Sequence, residues 1–128
     1  MYKGLNKGII QHLPEAKRYF WEDKDYMIIP AGKCEELVEE GRTLHHCVGA
    51  STTYMEKMAA GKSWILFLRK KKELEKPYYT IEISMENDGI LQWYSEYDRK
   101  PDEGKIQKVL NAFKNSIKRQ TERIQIAG

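Results

Sequence analysis

No apolar run in this sequence is longer than the five residues WILFL at 64–68. A bilayer-spanning helix needs about twenty such residues in a row, so no membrane segment is expected. The first ten residues, MYKGLNKGII, lack the apolar core and small-residue cleavage site of a secretory leader, which points to a cytoplasmic protein. Cysteine is scarce: Cys34 and Cys47 are the whole complement, too thin a framework for a small secreted fold, so the reduced state is expected. Charge of one sign is not abundant either. Lys and Arg number 22 against 19 Asp and Glu, and the net +3 is compatible with nucleic acid without demanding it. Repeats and low-complexity stretches are absent. What is present, 128 residues with 41% hydrophobic and 32% charged, is enough for one folded domain with its own core over 1–128.

The hydrophobic pattern predicts an α+β fold. Residues 63–68 form a continuous apolar run suited to a strand covered on both sides. From Tyr78 to Met85 the pattern alternates, with Tyr79, Ile81, Ile83 and Met85 on one face and Thr80, Glu82 and Ser84 on the other. The turn signal Glu86-Asn87-Asp88-Gly89 then returns the chain as Ile90–Tyr94. A three-stranded antiparallel meander over about 63–69, 77–85 and 90–95 is expected. Helices are predicted at about 33–41, stopped by Gly41, at 52–60 with a Thr53/Glu56 capping box, and at 102–122 with a stripe of Ile106, Val109, Leu110, Phe113 and Ile117. Residues 1–25 read as a peripheral segment in which Pro14 interrupts a short helix, and Tyr26–Ile29 reads as a short strand ended by Pro30. Lys70, Lys71, Lys72, Lys114, Lys118, Arg119 and Arg123 read as solvated surface, because acidic residues are interleaved.

The chemistry gathers in GRTLHHCVGAST at 41–52. A zinc site is disfavoured: His45, His46 and Cys47 are consecutive and do not converge on one tetrahedral ion, and neither C-x-x-C nor H-x-x-x-H spacing is present. No metal or other cofactor is expected. For nucleophilic catalysis Cys47 needs a base, and adjacent His46 points away in any regular conformation, leaving His45 if the stretch is extended or a base folded in from elsewhere, with Glu82 a candidate partner for a histidine. A binding site would use Gly49 for close approach, the hydroxyls of 51–53 and the following helix N-terminus, with Arg42 and Arg69 supplying charge. In the remaining reading Leu44, Cys47 and Val48 are core and the histidines are satisfied internally.

The order EEGRTLHHCVGAS, a helix ending at Gly61, ILFLRK, KPYYTIEI and ILQWY resembles the PcfJ-like family of conjugative plasmids and phages. The resemblance covers about 26–115 and rests on Leu44–Gly49, Arg69, Pro77, Thr80, Glu82 and Gln92. Ser95 and Asp98 stand where that family usually has glycine and asparagine. The resemblance implies a mobile-element accessory protein in which His45, His46, Cys47, Arg69, Thr80, Glu82 and Gln92 converge, together with Gly49 and Arg42. Such a site would bind nucleic acid, a nucleotide-like ligand or a partner protein. Two alternatives stay open at this stage. One is a small enzyme using Cys47, His46 or His45 with Glu82 on a phosphate- or acyl-bearing substrate. The other is a scaffold whose HHC block is structural.

Overall fold

The computed structural model describes residues 1–127, with side chains to residue 124. Its elements run α1 (Lys3–Ala16), β1 (Trp21–Glu22), β2 (Tyr26–Pro30), α2 (Cys34–Leu44), α3 (Thr53–Ala59), β3 (Ser63–Lys70), β4 (Tyr79–Ser84), β5 (Ile90–Tyr94) and α4 (Glu103–Ala127). Short 3₁₀ turns at Cys47–Gly49, Lys71–Glu73 and Glu96–Asp98 punctuate the connections. The expected three-stranded meander is overturned: the sheet has five strands in the order β1-β2-β3-β4-β5, each antiparallel to its neighbour. Ile28 sits opposite Leu68 and Ile29 opposite Phe67, so β2 is the second neighbour of β3. This explains why β3 reads as an unbroken apolar run. It is the central strand, and its first seven residues are buried.

Three helix boundaries also move. α2 continues through Gly41 to Leu44, and α4 extends to Ala127. α3 is preceded by Thr52, whose hydroxyl bonds the Glu56 carboxylate at 3.1 Å, so the Thr53/Glu56 capping box does not form. Pro14 lies inside α1 instead of ending it. It falls in the last turn, where the lost N–H frees only the carbonyl of solvent-facing Ile10.

Each face of the sheet is covered. The Phe113 ring meets Trp21 edge-on with centroids 6.4 Å apart, placing α4 over the apolar face that carries Ile28, Leu66, Leu68, Ile81 and Ile83. The opposite face carries Ser63, Ile65, Phe67 and Arg69 of β3 and Thr80, Glu82 and Ser84 of β4. α2, the 45–52 connection and α3 lie over it. α1 packs on α3 so closely that a Cβ on Gly8 would come within 2.8 Å of the Ala59 Cβ. Asn6 ties α1 to the start of α2, accepting from the Cys34 N–H at 2.8 Å and donating to Glu35 at 2.9 Å. Among the described residues no helix is long and apolar enough to cross a membrane.

Candidate functional site

The GRTLHHCVGAS stretch folds back onto its own helix. His45 closes α2 in the left-handed conformation (φ 52°, ψ 49°), and the His46 N–H reaches the Gly41 carbonyl at 3.1 Å, the six-residue closure of a helix C-terminus. The chain then returns across α2 at backbone contact distance. A Cβ on Gly49 would lie 2.5 Å from the Leu37 carbonyl oxygen and from the Val38 Cα, and one on Gly41 would meet the His46 carbonyl oxygen at 3.0 Å. The two glycines are therefore required by packing of the connection against α2. This return buries Val48 and His46 and leaves His45 and Cys47 exposed.

His46 enters the polar face of the sheet. Its Nδ1 accepts from the Val48 N–H at 3.4 Å, which assigns the ring proton to Nε2; Nε2 lies 2.9 Å from the Thr80 Oγ1. The Thr80 hydroxyl in turn donates to Glu40 Oε2 over a long 3.5 Å. Both Glu40 oxygens accept from Arg69, Oε2 from Nη1 at 2.8 Å and Oε1 from Nη2 at 2.5 Å, the bidentate geometry favoured by guanidinium and carboxylate. All four side chains are buried. Burial lowers the His46 pKa, keeping the imidazole neutral, and pushes the Glu40 carboxyl up against the pull of Arg69. The Tyr94 ring meets His46 edge-on at 4.7 Å.

A second cluster lies further along the same face. Buried Glu82 accepts from the Ser63 hydroxyl at 2.9 Å and the Gln92 amide at 3.0 Å, with Lys57 Nζ at 3.7 Å. The Gln92 amide also donates to the Tyr54 hydroxyl at 2.9 Å. Beyond Gln92 the site opens into a cleft of about 590 Å³ along the free edge of β5, with Cys47, Tyr54 and Tyr94 in its lining. Next in sequence to the lining residue Asp98, Tyr97 stacks flat on His45, centroids 4.7 Å apart. Here three residues hold left-handed backbone, His45, Tyr97 (φ 55°) and Asp98 (φ 60°), and such strain concentrates where a surface is held in a set shape.

The residues singled out from the sequence thus fall into three groups. His46, Thr80 and Arg69 meet in one network, Glu82 and Gln92 in its neighbour. His45 and Cys47 sit outside on the surface, and Arg42 is exposed in the last turn of α2. Among the described residues no hydrogen bond joins a histidine to Cys47, and no group of three or more His, Cys, Asp or Glu is arranged to hold a metal ion. Every buried side-chain nitrogen and oxygen among them has a partner. Glu40 escaped the sequence reading, although its spacing carried a signal. Cys34, Leu37, Gly41 and Leu44 mark the buried stripe of α2, and Glu40 lies on it, so a buried cation had to face it.

The PcfJ-like protein family model matches residues 3–110. A Listeria innocua serovar 6a protein, Lin1253/Lin1744, is 34% identical over 101 residues, covering 79% of this chain and 21% of that protein. The chain thus spans about a fifth of the length of this curated relative. No solved structure matches it. The family match takes in α1, the whole sheet and both polar clusters, and the chain belongs to the PcfJ-like protein family, a family of mobile-element accessory proteins.

Proposed function

We propose that the chain is a nucleic-acid-contacting accessory domain whose contact surface is the solvent side of α4. The His46–Thr80–Glu40–Arg69 network then acts as a brace that locks α2 and the HHC connection to the sheet. The observation that carries this reading is the charge on α4. The acidic interleaving expected around the chain's basic residues does not extend to this helix: between Gly104 and Thr121 it bears Lys105, Lys108, Lys114, Lys118 and Arg119 and no acidic residue, with Gln107, Asn111 and Asn115 among them. Ile106, Val109, Leu110, Phe113 and Ile117 of this segment are buried, so the basic and amide side chains share the outer face. A helix face of this composition suits phosphates, and amides among the cations add hydrogen bonds to sugar or base edges. The brace reading is supported by the full pairing of His46, Thr80, Glu40 and Arg69, which leaves them little to offer a ligand.

Fluorescence anisotropy with a duplex and a single strand of unrelated sequence, titrated between 50 and 200 mM salt, tests the proposal. With five phosphate contacts, log K against log salt should fall with a slope of about −4. Lys108→Glu/Lys118→Glu/Arg119→Glu should reduce that slope by about 2 to 3 while the melting temperature stays within a few degrees. No binding at 50 mM salt, or a slope indifferent to the three reversals, would overturn the reading.

A further inference from the structure

The two edges of the sheet are treated differently. β1 is two residues long, and its Glu22 is paired with Lys71 at 2.5 Å, so it offers almost no template for another strand. β5 is five residues long, Ile90-Leu91-Gln92-Trp93-Tyr94, with neither a charged residue nor a proline. Among the described residues it pairs only with β4, and Leu91 on it is 56% exposed. Charge and proline, two of the devices that blunt an edge, are missing from β5, and its one irregularity, an extra residue at Leu91 opposite Glu82 and Ile83, leaves Gln92–Tyr94 in regular register with β4.

The cleft of about 590 Å³ follows this edge and reaches both faces of the sheet. One wall includes Tyr54 and Cys47, the other Leu110 and Lys114 of α4. An extended chain laid against β5 would therefore send alternate side chains to opposite walls. The charges beside the groove are mainly positive. Lys100 lies over the Trp93 ring at 4.1 Å and Lys114 lines the α4 wall, against a single lining carboxylate, Asp98; Lys57, over Tyr54 at 5.5 Å, is already paired with Glu82.

We infer that β5 is a docking edge for an extended acidic peptide of a partner protein, which adds to the sheet as a sixth strand and presents apolar residues at every second position. Charge complementarity selects this occupant: a second copy would bring the same lysines to the groove. The inference does not rest on nucleic-acid contact by α4, although Gln107 and Lys114 belong to both surfaces.

The test uses the full chain and an alternating Val/Glu heptapeptide, with amide hydrogen exchange and NMR shifts as readouts. Alternate amides within Ile90–Tyr94 should gain at least tenfold protection. A peptide of the same sequence with alternate backbone amides N-methylated should lose that protection, because it cannot form the ladder. Lys100→Glu/Lys114→Glu, both at exposed positions, should weaken binding at least tenfold. Failure of the heptapeptide to bind, or equal binding by the N-methylated form, overturns strand addition. Tighter binding of a Val/Lys peptide overturns the acidic partner. Concentration-dependent dimerisation that protects the same amides without peptide assigns the edge to a second copy. Competition at these amides by a single-stranded oligonucleotide assigns it to nucleic acid. The last two results also overturn the inference.

Discussion

His46 holds the Val48 amide and the Thr80 hydroxyl together only as a neutral imidazole, with Nδ1 accepting and Nε2 donating. Protonation would turn a second N–H toward the Val48 N–H and place a charge in a buried site. Burial lowers the folded-state pKa below the ordinary 6.5, so between the two values the unfolded chain binds more protons and stability rises with pH. Wild type should therefore lose stability relative to His46→Gln as pH falls from 7.5 to 5.5, by no more than about 1.4 kcal/mol. The raised pKa of Glu40 acts with the opposite sign, its contribution declining as pH rises above 4.5, and is present in both chains. Urea unfolding at the two pH values measures the difference; parallel curves would remove His46 from the account. The partner pair invites a second measurement. Arg69→Met leaves Glu40 buried without its cation and should cost about 3–5 kcal/mol. Glu40→Leu added to Arg69→Met should recover part of that loss, because no uncompensated charge remains. A double variant less stable than Arg69→Met alone would argue against a simple brace. At this scale the sequence was partly legible. Polar residues in an alternating strand identified Thr80 and Glu82, whereas Glu40 was hidden among the four acids of one short helix and needed the buried stripe to expose it.

The connection between α2 and α3 shows what an element's own spacing can and cannot reveal. Gly41 looked like a helix stop, yet α2 runs three residues beyond it, because the glycine is needed for the returning backbone and a histidine takes the left-handed closing position. Gly49→Ala would press a methyl against the Leu37 carbonyl and Val38 Cα and should destabilise by at least about 2 kcal/mol. Gly104→Ala in α4 meets nothing within 4 Å and should be neutral or stabilising by up to about 1 kcal/mol. Chemical denaturation of the two variants checks the contrast, and equal effects would show that the return of the connection is loose. The strands β3 to β5 and the long α4 were legible because their periods persist for five or more residues. β1 was not, since two residues define no period. β2 was read as a strand, but nothing local announced its pairing with β3, which comes from the register of Ile28 with Leu68. α1 was read only as a short helix interrupted by Pro14, whose cost is small in a last turn.

Across the whole molecule, the placement of α1 bears on where a stable unit begins. A boundary at residue 26 would remove Ile9, Ala16 and Tyr19, each fully buried in the single core cluster. It would also remove Asn6, whose side chain satisfies the Cys34 amide at the start of α2, and the Arg18 and Tyr19 hydrogen bonds to Asp88 in the β4–β5 turn, at 2.8 and 2.7 Å. These contacts join both ends of the polar face. α1 covers α3, while Asp88 fixes the turn that sets β5, so the N-terminal segment holds the scaffold around both polar clusters. Losing three buried side chains of this size costs roughly 1.5–3 kcal/mol for each large one, comparable to the whole stability of many small domains. A chain beginning at residue 21 should therefore show no cooperative thermal transition and poor amide dispersion by NMR, while the full chain melts as one unit. If the shortened chain kept a sharp transition and native-like shifts for His46, Thr80 and Arg69, the brace would be independent of α1, and the polar face would have to be treated as a self-sufficient sheet–helix sandwich to which α1 was added.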